Sequence, residues 1–268
     1  SPPDERVADL WSPSRQDRIA HAFEQAGVQH ASGSWTATAA LVDDYVTRWS
    51  RAKIDACRAT RIEATQSEEV LDLRTACLER RFAELDRLLD YLEEPDAETI
   101  ARAPMAVSGL RPLSACADVV ALRERRDAIA TADPVAVAEL TNVLDAADAL
   151  LDLGRPIQAQ QEASGTVGRA EAIGDPSLLA RALLIAGRTE LDLGNEAAAA
   201  DLLERSMLEA LAGGDAELLA TSTTLFAAAL ADGSDDYERA LAILDIAEAA
   251  LRRAGNPWRA RQTWHDRR

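Results

Sequence analysis

The sequence predicts an all-α protein in two parts, a helical bundle followed by a solenoid of helical hairpins. Three observations carry this expectation. The first is composition: of 268 residues 47% are hydrophobic but only 4% aromatic, and Ala, Leu, Glu, Asp and Arg dominate, which suits packed helices rather than sheets. The second is a recurring phrase, "ADPVAVAEL" from Ala132, "GDPSLLARA" from Gly174, "GDAELLATS" from Gly214 and "GNPWRARQT" from Gly255, whose positions Pro134, Pro176, Ala216 and Pro257 are 42, 40 and 41 residues apart. The third is a glycine in mid-period, Gly154, Gly194 and Gly233, where helical apolar spacing breaks.

From the N-terminus, residues 1–10, "SPPDERVADL", read as a linker, with order beginning near Trp11. "SRQDRIAHAFEQAG" carries Ile19, Ala22, Phe23 and Ala26 on one stripe, and "SWTATAALVDDYVTRWSRAKIDACRATRIEA" carries Leu41, Tyr45, Trp49, Ala52 and Ala56 on another. After "TQSEE", Ser67 caps a third helix, Glu68 and Glu69 complement its dipole, and Leu71, Leu78, Phe82, Leu85, Leu89 and Leu92 form its apolar side. Asp96 opens a fourth helix, "SGLRPLSAC" is an irregular connection, and a fifth helix covers about 117–131. Residues 11–131 are therefore expected to form the bundle.

Residues 133–255 divide into periods of about 133–174, 175–214 and 215–255. Asp133-Pro134, Asp175-Pro176, Asp215-Ala216 and Asn256-Pro257 are helix starts, because an Asx side chain accepts from first-turn N–H groups and proline at the first helical position forfeits no needed donor. Each period then holds two helices. The pattern is TPR-like: a small residue where two helices cross, a turn residue, then alanine on the second helix, supplied by Gly187, Gly194 and Ala199, by Ala147, Gly154 and Ala159, and by Ala228, Tyr237 and Ala240. The period exceeds the ~34 residues usual for that repeat and lacks its large aromatics. Gly165 and Gly168 in "QEASGTVGRAEAIG" read as a close helix crossing, since a phosphate loop needs a preceding strand and a lysine. Residues 256–268 read as a terminal or capping helix with Trp258 and Trp264 over the last hairpin, or as the start of a further repeat.

The formal charge is −17, split as −6 over residues 1–132 (17 basic, 23 acidic) and −11 over 133–268 (12 basic, 23 acidic). Nucleic acid is not an expected partner, because an acidic surface repels phosphate; a basic partner or a solvated exterior fits. No apolar run approaches the ~20 residues needed to cross a bilayer, so this fragment is expected to be soluble and not to insert into a membrane. His21, His30 and His265 lack ligand or triad spacing, and Asp43 with Asp44, Glu68 with Glu69, and Asp235 with Asp236 point about 100° apart on a helix. No catalytic, cofactor-binding or metal residue is expected. Cys57, Cys77 and Cys116 form no CxxC pair, and free buried thiols are the default. A hairpin solenoid binds along the face of its first helices, so the candidate partner-binding residues are Thr141, Leu144, Asp148, Leu151 and Asp152, with Arg181, Leu184, Arg188, Leu191 and Asp192. Arginines beside aspartates would read an extended charged peptide; in the alternative, the leucines pack on a neighbouring hairpin and the charges are solvated.

The order "W...R...I..AF", "W......LVDDYVTRW", "DACRAT", "QSEEVLDLRTACLERR", "LRPLSACADV" and "ARALLIAGRTELDLGN" resembles the C-terminal region of myxobacterial-type bacterial Ser/Thr protein kinases, over about residues 7–255. That resemblance implies a cytoplasmic kinase domain and a membrane helix upstream of Ser1, with the present region on the extracytoplasmic side. It also implies an oxidising setting, in which Cys77 and Cys116 form a disulfide and Cys57 pairs with a cysteine further upstream. The chain itself has no Gly-rich phosphate loop, HRD-type loop or DFG, and a single lysine, Lys53. The expectation is a non-catalytic protein- or peptide-binding region, the sensory or partner-recruiting part of a membrane-bound kinase. The alternatives are self-association, as an oligomerisation module of such a kinase, and a free-standing TPR adaptor.

Overall fold

Side-chain caps set where the helices of the N-terminal part begin. Ser12, Ser67 and Asp96 each accept a hydrogen bond from the backbone N–H three residues on, at Arg15, Val70 and Thr99, satisfying donors that the first turn leaves unpaired. In the computed structural model, residues 3–128, 132–234 and 237–253 are described. They contain helices and no strand, and the chain divides into two compact units, residues 1–130 with 152–154, and residues 131–151 with 155–268.

In the first unit the helices are α1 (Pro3–Leu10), α2 (Pro13–Gln25), α3 (Ala31–Arg61), α4 (Glu68–Leu92) and α5 (Ala97–Ser108), then a 3-10 turn (Leu113–Ala117) and α6 (Val119–Ala128). The long α3 is the central element and packs on α1, α2, α4 and α5, while α4 also carries α5, α6 and the 3-10 turn. Its buried stripe is Val42, Tyr45, Val46, Trp49 and Ala56, with Leu41 and Ala52 half-buried at the edge. Trp49, Phe23, Ile19, Leu78, Leu85, Leu89 and Leu92 lose essentially all solvent contact, and at roughly 1.5–3 kcal/mol per fully buried side chain they dominate the unit's stabilisation. The stretch expected to be a linker is instead α1, held by buried Leu10 and half-buried Arg6 and Val7. Eight residues show too little periodicity for a helix to be read from them; tertiary contacts make this one.

The second unit comprises α7 (Pro134–Asp152), α8 (Pro156–Glu162), α9 (Thr166–Ile173), α10 (Pro176–Asp192), α11 (Glu196–Ala212), α12 (Ala216–Ser234) and α13 (Tyr237–Arg253). Asp175 and Asp215 cap α10 and α12 by accepting from Leu178 and Leu218 N–H at 2.6 and 3.0 Å. α10 packs on α11, α11 on α12 and α12 on α13, with a further contact of α10 on α12. Three-residue connections, 193–195 and 213–215, leave room only for antiparallel neighbours. Gly194 (φ +79°) and Gly214 (φ +70°) reverse the chain there in the left-handed region that favours glycine.

Small residues lie where these helices meet. Ala147, Ala159, Ala199, Ala228 and Ala240 are buried, and Gly187 sits so close to α11 that a Cβ would come within 2.7 Å of Leu203 Cγ. α12 is buried on every side from Ser222 to Leu230, its Thr223 and Thr224 hydroxyls donating to the carbonyls of Leu219 and Ala220 and its Ser222 hydroxyl paired with that of Ser206.

Three glycines behave differently from expectation. Gly165 (φ +73°) separates α8 from α9, so the second helix of the first period is broken in two; a Cβ at Gly165 or Gly168 would meet nothing within 4 Å, and neither marks a close crossing. Gly233 belongs to α12 and does not form a turn. The expected terminal helix, 256–268, with its Asn256-Pro257 cap and Trp258 and Trp264, lies outside the described residues.

Candidate functional site

The expected peptide groove is mostly filled by the protein's own packing. On α7, Thr141, Leu144 and Leu151 are buried; on α10, Arg181 is 3% exposed and ion-paired with Asp145, itself buried on α7. One rung along, Arg188 Nη1 donates to Asp148 Oδ1 at 3.1 Å, with both side chains about three-quarters buried. Leu184 and Leu191 are half-buried against the cluster of Leu203, Leu225, Phe226 and Leu230. Asp152 is half-buried and Asp192 exposed.

The structure thus corrects the reading of Thr141, Leu144, Leu151 and Arg181 as an open concave row. It brings Asp145, Asp148, Arg181 and Arg188 together as a ladder that fixes the register of α7 against α10. For Arg181 the cause is the number of neighbours: α10 touches α8, α9, α11 and α12, so its buried arc is broad and takes in positions that a single-stripe reading leaves exposed. Asp145 was overlooked, although it lies one turn before Asp148 on the same face. A half-open rim remains, formed by Asp148, Leu184, Arg188 and Asp192.

A second ladder of exposed pairs joins α7 to α9, α9 to α11 and α11 to α13. Glu139 pairs with Arg169 at 3.6 Å, Glu171 with Arg205 at 2.8 Å, and Glu204 with Arg239 at 2.8 Å. Exposed pairs of this kind contribute at most about 1 kcal/mol each. They do engage arginines, of which residues 133–253 have 8 against 22 acidic residues, a net −14. The outer surface of this unit is therefore strongly acidic.

In the first unit the polar chemistry is structural stitching, built from residues of the quoted sequence phrases. Trp11 Nε1 donates to Asp43 Oδ1 at 2.7 Å, and Trp49 Nε1 to the Leu78 carbonyl at 2.7 Å. Arg15, buried, reaches Asp86 (2.6 Å), Asp90 and Glu93 (3.0 Å) and also donates to the carbonyls of Leu10 and Asp86. The hydrogen bond from Arg18 outweighs burial and holds the Glu93 carboxyl below its ordinary range, whereas burial raises that of Asp90 despite Arg15. Burial also raises the Tyr45 hydroxyl, which donates to the Arg81 carbonyl. On the far side of α3, Arg6 lies over Phe82 (4.9 Å) and Trp49 (5.7 Å) and pairs with Glu79, which also accepts from Lys53 at 2.7 Å. Arg6 lies in the stretch expected to be a linker, and Arg15 lies in the phrase that begins at Trp11, from which only the apolar stripe of α2 is readable.

Cys77 and Cys116 form a disulfide with Cα atoms 5.5 Å apart, tying the 3-10 turn to α4, and Cys57 is free and exposed. A shallow depression lined by Asp17, Arg18, His21, Gln25 and Glu93 offers no enclosure. Among the described residues no group of three or more His, Cys, Asp or Glu is placed to hold a metal ion, and no single helix is long and apolar enough to cross a membrane. No family model, no curated protein and no solved structure matches the chain.

Proposed function

We propose that the chain is a non-catalytic recognition region: a helical bundle that leads into a TPR-like hairpin solenoid and binds a protein or peptide partner. The observation that carries this reading is the serial packing of α10, α11, α12 and α13, with α10 also meeting α12 and Gly187 lodged against Leu203. Arrays in which each helix pair contacts its neighbours present long surfaces and concentrate no catalytic pocket. The partner-facing surface is the rim of Asp148, Leu184, Arg188 and Asp192, together with the acidic exterior. The favoured partner is a basic segment.

The setting rests on the resemblance: the sensory or partner-recruiting part of a membrane-bound Ser/Thr kinase, on the extracytoplasmic side. The Cys77–Cys116 bond supports an oxidising location. The test is the coding sequence immediately upstream of Ser1. A membrane helix preceded by kinase motifs is expected, and a stop codon or an unrelated domain overturns the setting.

Oligomerisation is the second reading, favoured by large apolar side chains left exposed on the second helices: Leu208 and Leu211 on α11, Leu241 and Ile246 on α13. Size-exclusion chromatography with light scattering separates the two. A monomer supports partner recognition, and a concentration-independent dimer supports self-association.

A further inference from the structure

The cation held between α1, α3 and α4 has the surroundings of a bound ligand. Trp49 and Phe82 lie with ring centroids 4.3 Å apart and together present aromatic surface to the Arg6 guanidinium. Glu79 supplies the carboxylate: Lys53 Nζ takes one oxygen, Oε1, at 2.7 Å, and Arg6 takes the other, Oε2. Two rings and a free carboxylate oxygen recognise a planar, weakly hydrated cation better than a compact ammonium, because a guanidinium stacks on the rings while an N–H donates at its edge. The Trp49 ring has an anchor other than Arg6, because its Nε1 donates to the Leu78 carbonyl at 2.7 Å.

The group that fills this site is weakly held. Arg6 and Glu79 keep about a third of their side-chain surface in solvent. Arg6 belongs to an eight-residue helix whose other holds are half-buried Val7, buried Leu10 and the hydrogen bond that the Leu10 carbonyl accepts from Arg15. So short a helix is marginal alone and opens locally at low cost. The net charge of −17 draws cations toward the surface around it.

We propose that Trp49, Phe82 and Glu79 form a recognition site for a guanidinium group, that Arg6 occupies it as a built-in ligand, and that an arginine-bearing peptide takes the site when α1 lifts. The inference rests on the bundle's own geometry and is independent of the kinase setting.

The test uses the full chain, with N-acetyl-arginine amide as probe, its neutral analogue N-acetyl-citrulline amide as control, and the Trp49 indole N–H resonance as readout. Arg6→Ala is expected to bind the arginine probe saturably and at least ten-fold more tightly than the native chain, where Arg6 competes. Arg6→Lys retains a cation that competes less well than a guanidinium, so its affinity for the probe is expected to fall between those of the native and Arg6→Ala chains. Adding Glu79→Gln to Arg6→Ala weakens binding ten-fold or more, and the citrulline probe gives no saturable shift. Equal affinity in the native and Arg6→Ala chains, or equal response to both probes, overturns the proposal. Should Arg6→Ala lose its fold, amide exchange in the native chain decides. The arginine probe, and not citrulline, must accelerate exchange at Leu10 and Trp11, and its failure to do so overturns the proposal.

Discussion

Reducing the Cys77–Cys116 bond removes a constraint on 39 residues of chain, and the size of the effect follows from that separation. The loop-closure relation, 2.1 plus 1.5R ln n in cal/mol/K, amounts to about 4 kcal/mol at 25 °C for a loop of this length. The bond anchors the 3-10 turn, whose Leu113 and Cys116 are buried, so reduction frees that turn from α4 as well as enlarging the unfolded ensemble. With a urea slope of about 2 kcal/mol/M, the unfolding midpoint of the first unit falls by roughly 2 M. The assay is urea unfolding followed by tryptophan fluorescence, with and without reductant; all five tryptophans except Trp258 and Trp264 lie in that unit. A Cys77→Ala, Cys116→Ala chain should match the reduced protein, and Cys57→Ala, altering an exposed free thiol, should change nothing. Thiol titration of the unreduced, denatured chain should find one free thiol, rising to three after reduction. Three thiols before reduction, or a midpoint indifferent to reductant, refutes the reasoning.

The other expectations concern packing, charge and pH. Asp145→Ala leaves the Arg181 guanidinium buried beside α7 without its carboxylate and should cost about 3–5 kcal/mol, whereas Asp145→Leu with Arg181→Met should cost far less; a loss under about 1 kcal/mol for the single change would show that the pair does not order α7 against α10. Gly187→Ala gains up to about 1 kcal/mol of helix propensity but forces a methyl against Leu203, costing about 1–3, while Gly168→Ala meets open space and should stabilise by about 0.5–1; denaturation midpoints that shift in the same direction would contradict the close approach. Glu93 is held below its ordinary 4.5, first by the Arg18 hydrogen bond; Glu79 is also lowered, burial pushing it up while hydrogen bonds from Lys53 and Arg6 prevail. At these two carboxyls the folded state therefore binds fewer protons than the unfolded state near pH 4.5, while Asp90, raised by burial, acts in the opposite sense. This stabilisation is complete above that pH and is lost as pH falls through the lower folded values. Thermal melts between pH 7 and pH 3 should show it, with a shallower acid limb in Glu79→Gln.

The helices were legible where chemistry is local. Ser67, Asp96, Asp175 and Asp215 announce caps in one dimension, and each cap is present in three. The glycine turns at 194 and 214 were readable for the same reason, since a left-handed residue leaves a compositional mark. What could not be read was the allocation of a helix's circumference among its neighbours. Leu144 on α7 and Arg181 on α10 have the spacing of an open face, yet both are buried, and only the packing of several helices at once decides that. Gly165 and Gly233 illustrate the same limit: a glycine in a helical pattern is compatible with a crossing, a break or plain helix, and tertiary context selects among them.

The inner and outer ion pairs of the second unit differ in how freely their carboxylates can exchange partners. Carboxylates on the inner ladder are committed, since Asp145 and Asp148 each face an arginine of α10 and exchanging either for an external cation would first expose a buried guanidinium. Outer carboxylates carry no such obligation: the pairs at Glu171 and Glu204 are about half exposed, so a basic partner can replace Arg205 or Arg239 at little cost. If the second unit binds a basic partner as proposed, exchange at the outer carboxylates would let it do so without loosening the buried Asp145–Arg181 pair. Charge reversal at exposed Asp192 or Asp201 should then weaken capture of a basic peptide and lessen its dependence on salt, while leaving the unfolding free energy within about 0.5 kcal/mol of native, and the same reversal at Asp145 should unfold the second unit before binding can be measured.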